Sequence, residues 1–347
     1  MVDWLRRLFS SPSARSLQTA APKAGVAARD DAPAADALGV SWVARNDVSA
    51  DFTHWLFDAR DDADIFVTPL ERQVLAALEK IVTAPKAGAN LVRRMPGVIP
   101  ELLQSLRSEN FSGAELARKL SNDVVLVAEV VRLANCGMSI PGQSITSVEH
   151  AVLVLGQDNL RQLISSVAFR PIIDLKSGYF TRLIAPRLWL QSERCAIANR
   201  LLAVDEQVSP FEAFLAGLIQ QVGLIVSLRV MEQIAGSDTT LGSASFCNLL
   251  LEQSRALSCS VAREWQFPAA IVTAIEEQGS KYNLAGMSPM GRVLSSGDYL
   301  SKVVLLLEAD HLSAGATKGL SRQALATLDI LRTPVLGAVG DSDQSGG

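Results

Sequence analysis

The chain has 347 residues, 48% hydrophobic and 20% charged, the composition of a globular protein with room for two or three compact units. A net charge of −4 and a pI of about 5.5 disfavour general binding to phosphate backbones, and no nucleic-acid partner is expected. The uninterrupted apolar stretches fall short of the ~18 residues that would suggest a membrane span.

From the N-terminus, residues 1–9 read as a short amphipathic helix. Trp4, Leu5, Leu8 and Phe9 are interleaved with Arg6 and Arg7, and no long apolar core follows, so this is not a secretory signal. Weak peripheral contact with an anionic membrane is compatible with this helix, but two arginines favour a free or partner-bound tail. Residues 10–39 are rich in Ala, Ser and Pro and lack aromatics and Ile; they cannot bury enough apolar surface to offset their ordering entropy. The segment 1–47 is therefore predicted to be a helix followed by a disordered linker. Its charge is polarised: residues 1–29 carry five bases against one acid, residues 30–70 two bases against nine acids. Order is expected to resume near Val48, where Phe52, Trp55, Leu56 and Phe57 open an N-terminal helical extension over 48–90. The acidic run around Asp58 to Asp64 reads as a solvated loop.

From there the apolar period is helical. Leu70, Val74, Leu75, Leu78, Ile81 and Val82 form one stripe behind Pro69. Ser112-Gly-Ala-Glu115, Thr146-Ser-Val-Glu149 and Ser209-Pro-Phe-Glu212 read as capping boxes; Gly156 stops the second helix, and Ser288-Pro289 opens a late one in the manner of Ser209-Pro210. Val124 to Val131 is β-branched, yet Val124, Val127, Ala128 and Val131 share a helical face behind a cap at Asp123, so it reads as a buried helix. No Asn-Gly or Asp-Gly hairpin turn sits between alternating runs, and the fold is predicted to be all-α. The Gly/Ser/Asp-rich tail 333–347 is expected to be disordered.

Catalytic signals are absent. His54, His150 and His311 are widely spaced, and none is followed by Asp. No phosphate-binding loop, dinucleotide fingerprint or nucleophile elbow occurs, and Gly-Ala-Thr-Lys-Gly at 315–319 reads as a turn. Cys136, Cys195, Cys247 and Cys259 lack a C-x-x-C spacing and read as reduced, buried thiols of a cytoplasmic protein.

Several of these segments resemble the HDOD domain, an HD-related output domain of bacterial signalling proteins. Met95-Pro-Gly-Val-Ile-Pro100 looks like its opening LPxLP segment, Glu115 to Asn135 like the paired helices that follow, and Ile145 to Gly156 like the I-x-S-I-x-x-A-I-x-x-L-G element. The resemblance implies two helical lobes within 91–332: a first lobe over 91–175 and an HD-like bundle over 185–332. Where metal-binding relatives carry ligands, this chain departs. Gln191 stands in the W-x-H-S histidine position, and Gln220-Gln221 replace the His-Asp pair. Trp265-Gln-Phe-Pro268 looks like the W-x-L-P turn; around it, Ser254 falls in one histidine position and Gln278-Gly279 in the His-His place. Asp298 alone keeps a carboxylate.

Glutamine and serine bind hard or borderline cations weakly, and without a metal no low-pKa water is available to attack a phosphoester. The expectation is a protein without catalytic, metal or cofactor sites, whose remnant pocket is Gln191, Gln220, Gln221, Ser254, Gln278 and Asp298. Two readings of that pocket stand: a mutually hydrogen-bonded structural remnant, and a small-ligand (nucleotide) sensor site. By resemblance, the partners are proteins of a signalling pathway. The rival from another class is a metal-dependent phosphohydrolase with atypical ligands.

Overall fold

Helix after helix starts where a short polar side chain answers the exposed N–H groups of the first turn. The computed structural model describes residues 38–57, 66–83, 130–131, 145, 147–173, 178–235, 241–279, 284–312 and 317–332. Within them lie α1 (Trp42–Phe57), α2 (Pro69–Thr83), α3 (Val148–Leu155), α4 (Gln157–Ile173), α5 (Tyr179–Leu202) and α6 (Pro210–Ile219). There follow α7 (Val222–Ala235), α8 (Ala244–Glu264), α9 (Ala269–Glu276), α10 (Pro289–Glu308) and α11 (Arg322–Arg332), with a 3₁₀ turn at Leu284–Gly286. Among the described residues there is no strand, and the fold is all-α.

The caps at Ser209 and Ser288 form as the sequence indicates: Ser209 accepts from Glu212 N, Ser288 from Gly291 N, and proline follows each at the first helical position. At α3 the cap is Ser147, one residue after the expected Thr146, with its hydroxyl accepting from His150 N at 3.1 Å. Gly156, at φ 76°, separates α3 from α4. A reciprocal capping box at Thr68 and Glu71 starts α2, and Ser243 caps α8; neither was expected. The Ser112–Glu115 box, Met95–Pro100, residues 1–37 and the tail 333–347 lie outside the described residues. So does most of the expected helix 124–131, of which residues 130–131 are described and helical.

One expected boundary moves. Order begins ahead of Val48: Leu38 and Val40 are buried, Leu38 O accepts from Ser321 N at 2.7 Å, and α1 starts at Trp42. Leu38 and Val40, near the end of an otherwise weakly apolar stretch, join the core, and α1 packs on α10, contacts that local composition does not reveal. α5 runs from Tyr179 through Pro186 to Leu202. Proline removes one ladder bond in a helix interior; burial of Ile184, Ala185 and Leu188 around it offsets that loss.

The core centres on α5, which packs against α6 and α10, while α7 and α8 pair and α2 covers both. α1 lies on α10 and is pinned to α5 by Arg187, whose guanidinium donates to Trp55 O and sits 4.7 Å over the Trp55 ring. Phe169, Trp265 and Phe267 form an aromatic cluster with centroids 6.0 to 6.4 Å apart. The run Pro210–Ala235 is long and apolar enough to cross a membrane by composition, but 89% of its apolar window is buried inside the fold, and Gln220-Gln221 interrupt it.

Two glycines set the close approaches around the site. A Cβ on Gly223 would lie 1.9 Å from Ser254 O, so α7 and α8 touch backbone to backbone. A Cβ on Gly297 would lie 1.9 Å from Asn199 Oδ1, which brings α10 onto α5 one residue before Asp298.

Candidate functional site

Asp298 stands on α10 facing α5 and the α6–α7 turn, and its two oxygens are already engaged. Oδ2 lies 2.6 Å from Lys302 Nζ, one helical turn along. Oδ1 accepts from Gln191 Nε2 at 2.8 Å and from Gln220 Nε2 at 3.3 Å. Gln191, fully buried, also donates to Ser301 Oγ at 3.2 Å, and Ser301 in turn donates to Asp298 O at 2.8 Å. Gln191 Oε1 is buried without a hydrogen-bond partner among the described residues. Gln220 Nε2 also lies 3.0 Å from Cys195 Sγ. Burial, with the Asp298 charge adding, pushes the Cys195 thiol well above its usual range, so it stays a neutral thiol.

The remaining expected positions fall on the same cavity. Ser254 shares a 2.8 Å hydrogen bond with Ser227, Gln278 donates to Ala274 O at 2.7 Å and Gly291 O at 3.1 Å, and Gln221 is half-buried at the α6–α7 turn. Next to them, Ser258 donates to Gln220 O at 2.7 Å and accepts from Gly223 N at 2.9 Å. Gln220, Gln221, Ser254, Gln278 and Asp298 line a cavity of about 280 Å³, with Gln191 behind Asp298.

Other walls were not anticipated. Trp42, Arg45, Asn46, Ser49 and Thr53 on α1 close one side, from a segment largely assigned to linker. Lys302 and Arg255 add charge. The Asp298/Lys302 spacing of four residues was a readable helical ion pair, and Arg255 directly follows Ser254. Arg45, reaching Ser295 O at 3.0 Å across 250 residues of chain, left no sequence signal.

These residues do not fit a divalent metal. A cation beside Asp298 would meet the Lys302 ammonium and two amide N–H₂ groups, which repel it. Among the described residues no group of three or more His, Cys, Asp or Glu side chains is placed to share a metal ion. His54, His150 and His311 fall on α1, on α3 and beyond α10, none of them lining the cavity.

Fold and site together define an all-helical bundle with a polar, mixed-charge cavity between its helices. The HDOD domain family model matches residues 92–280, more than half of the chain, and the chain belongs to that family. α1 and α10, with Arg45, Asp298 and Lys302, lie outside the matched stretch.

Among solved structures, a protein of Shewanella amazonensis SB2B provisionally named a metal-dependent phosphohydrolase is similar in fold, with TM-score 0.52 and 15% identity over 76% of this chain and 99% of that one. A second Shewanella amazonensis SB2B protein, provisionally named a phosphohydrolase, has TM-score 0.47 and 21% identity over 74% and 98%. An HDOD domain protein of unknown function from Geobacter sulfurreducens has TM-score 0.47 and 18% identity over 71% and 89%. No curated protein matches the sequence.

Proposed function

We propose that this chain is a non-catalytic regulatory scaffold of bacterial signal transduction, acting through protein–protein contacts. The observation that carries the reading is the state of Asp298: the one acid among the described residues that line the cavity is paired with Lys302 and capped by the amides of Gln191 and Gln220. A carboxylate so engaged has no oxygen left to offer a divalent cation. Membership of the HDOD family supports the signalling role, and the acidic composition supports protein partners over nucleic acid.

The rival reading, a metal-dependent phosphohydrolase with atypical ligands, takes its support from the names of the Shewanella proteins, which share the fold at 15% and 21% identity. Incubation of the purified chain with bis-p-nitrophenyl phosphate and p-nitrophenyl phosphate, with Mn²⁺, Mg²⁺ or Zn²⁺, separates the two. The scaffold reading expects no turnover above the metal-only control. Metal-dependent turnover abolished by Asp298→Ala would overturn it.

A second reading, a small-ligand sensor, is favoured by the cavity itself.

A further inference from the structure

Among the described residues the cavity is lined by three cations, Arg45, Arg255 and Lys302, and one carboxylate, Asp298, so this lining is net positive. Lys302 is spent on Asp298. Arg45 donates to Ser295 and lies 5.2 Å over the Tyr299 ring. Arg255 is different. It is partly buried, and among the described residues it makes no hydrogen bond or close ion pair; the charges of Glu252 and Asp298 act on it only through space. Its Nη1 would stand 3.3 Å from a Cβ on Gly279, so the guanidinium uses space that any side chain there would crowd. The position that resembles a metal-ligating histidine has become the berth of a cation.

We propose that this cavity is a metal-free binding site for a compact phosphate monoester, with Arg255 as its principal anchor. The inference goes beyond the scaffold role but rests on the same reading of the pocket as metal-free. A phosphate monoester carries close to two negative charges at neutral pH, which suits a net-positive lining. The planar guanidinium fork suits two phosphate oxygens at once. A cavity of about 280 Å³ lies at the lower end of small-molecule sites. It suits one phosphoryl group on a small polar body, for which Gln221 and the free carbonyl oxygen of Gln278 offer hydrogen bonds. Burial lowers the Arg255 pKa, the mark of a cation that gains by acquiring a counter-ion. The charged walls on α1 and α10 lie outside the family match, so the site is built in part by this chain's own flanking segments.

The test is calorimetric titration of the full chain, in EDTA, with inorganic phosphate, glycerol 3-phosphate and AMP, against glycerol and adenosine. The expected result is saturable binding of at least one phosphate with Kd below about 1 mM, and none of the neutral compounds. Arg255→Gln weakens it about tenfold or more, and Arg255→Lys retains part of it. Because Arg255 makes no hydrogen bond or close ion pair among the described residues, Arg255→Gln is expected to melt within about 2 °C of the wild type, which shows that lost binding is not lost folding. Failure of every phosphate to saturate by about 10 mM, or equal binding by Arg255→Gln, overturns the proposal alone. Binding that appears only on addition of Mn²⁺ or Zn²⁺ overturns the metal-free reading with it.

Discussion

Replacing Asp298 by Asn separates a carboxylate kept for structure from one kept for a metal. In the wild type its Oδ2 meets Lys302 Nζ at 2.6 Å, with the two side chains 19% and 13% exposed. Asparagine can keep the two amide bonds, because its carbonyl oxygen still accepts from Gln191 and Gln220. It cannot keep the ion pair: its N–H₂ group faces the ammonium. A hydrogen bond between charged groups contributes about 1.5–3 kcal/mol, and stranding a fully buried charge costs about 3–5 kcal/mol. The partial exposure of Lys302 lets water recover some of the loss, and its other neighbours are weak: Ser49 Oγ at 3.4 Å and the Phe52 ring at 5.6 Å. The expected cost is therefore about 2 kcal/mol, or roughly 4–8 °C in Tm, measured by thermal and urea denaturation in EDTA. Lys302→Met should cost a similar amount, and the double variant should recover about 1–2 kcal/mol of the summed loss. A Tm for Asp298→Asn within about 1 °C of wild type in EDTA, with a deficit appearing only when divalent metal is added, would refute the reasoning.

Three further outcomes follow from packing and charge elsewhere in the fold. Glu71, 1% exposed, accepts from Thr68 N at its own helix start and from Gly242 N, Ser243 N and Ser243 Oγ at the start of α8. Burial raises its pKa, but these hydrogen bonds outweigh it and hold the carboxyl below its usual 4.5. Its contribution is thus full above that value and is lost as pH falls through the folded pKa; Glu71→Gln should cost about 2–4 kcal/mol at pH 7 and flatten the acid limb of the stability–pH curve. Gly223→Ala forces a methyl against Ser254 O and should cost about 3 kcal/mol or more, read as a fall in Tm or in soluble yield. Cys195, Cys247 and Cys259 are buried; burial, with the Glu71 charge adding, pushes Cys247 up to about 12, and burial takes Cys259 to about 11. Peptide mapping after iodoacetamide at pH 8 should find these three unmodified in the native protein and modified in denaturant.

The parts of this architecture that were legible in the sequence were those set by local chemistry. Ser209-Pro210 and Ser288-Pro289 place helix starts by satisfying backbone donors within four residues, and the stripe from Leu70 to Val82 names its own buried face. The shift from Thr146 to Ser147 has an equally local cause, since two adjacent hydroxyls compete for one cap and spacing alone does not choose between them. Long-range matters were hidden. Nothing in Leu38 to Trp42 announces that Leu38 will meet Ser321 or that α1 will lie on α10, and nothing local joins Arg45 to Ser295 or Glu71 to Ser243. The candidate site divides in the same way. Gln191, Gln220, Gln221, Ser254, Gln278 and Asp298 were chosen by resemblance, and the fold brings the last five to one cavity, with Gln191 behind Asp298. The cations around them were passed over: Arg255 and Lys302 look like ordinary exposed positions until the helix crossings fix their direction.

The central claim is that amides and an ion pair occupy a site chemically unsuited to a divalent cation. Elemental analysis by plasma mass spectrometry, on protein purified without chelator and again after dialysis against Mn²⁺, Fe²⁺ or Zn²⁺ and desalting, tests it most directly. The account predicts each metal well below one equivalent per chain, unchanged by Asp298→Ala. Retention of about one equivalent or more, lost in Asp298→Ala, would contradict it.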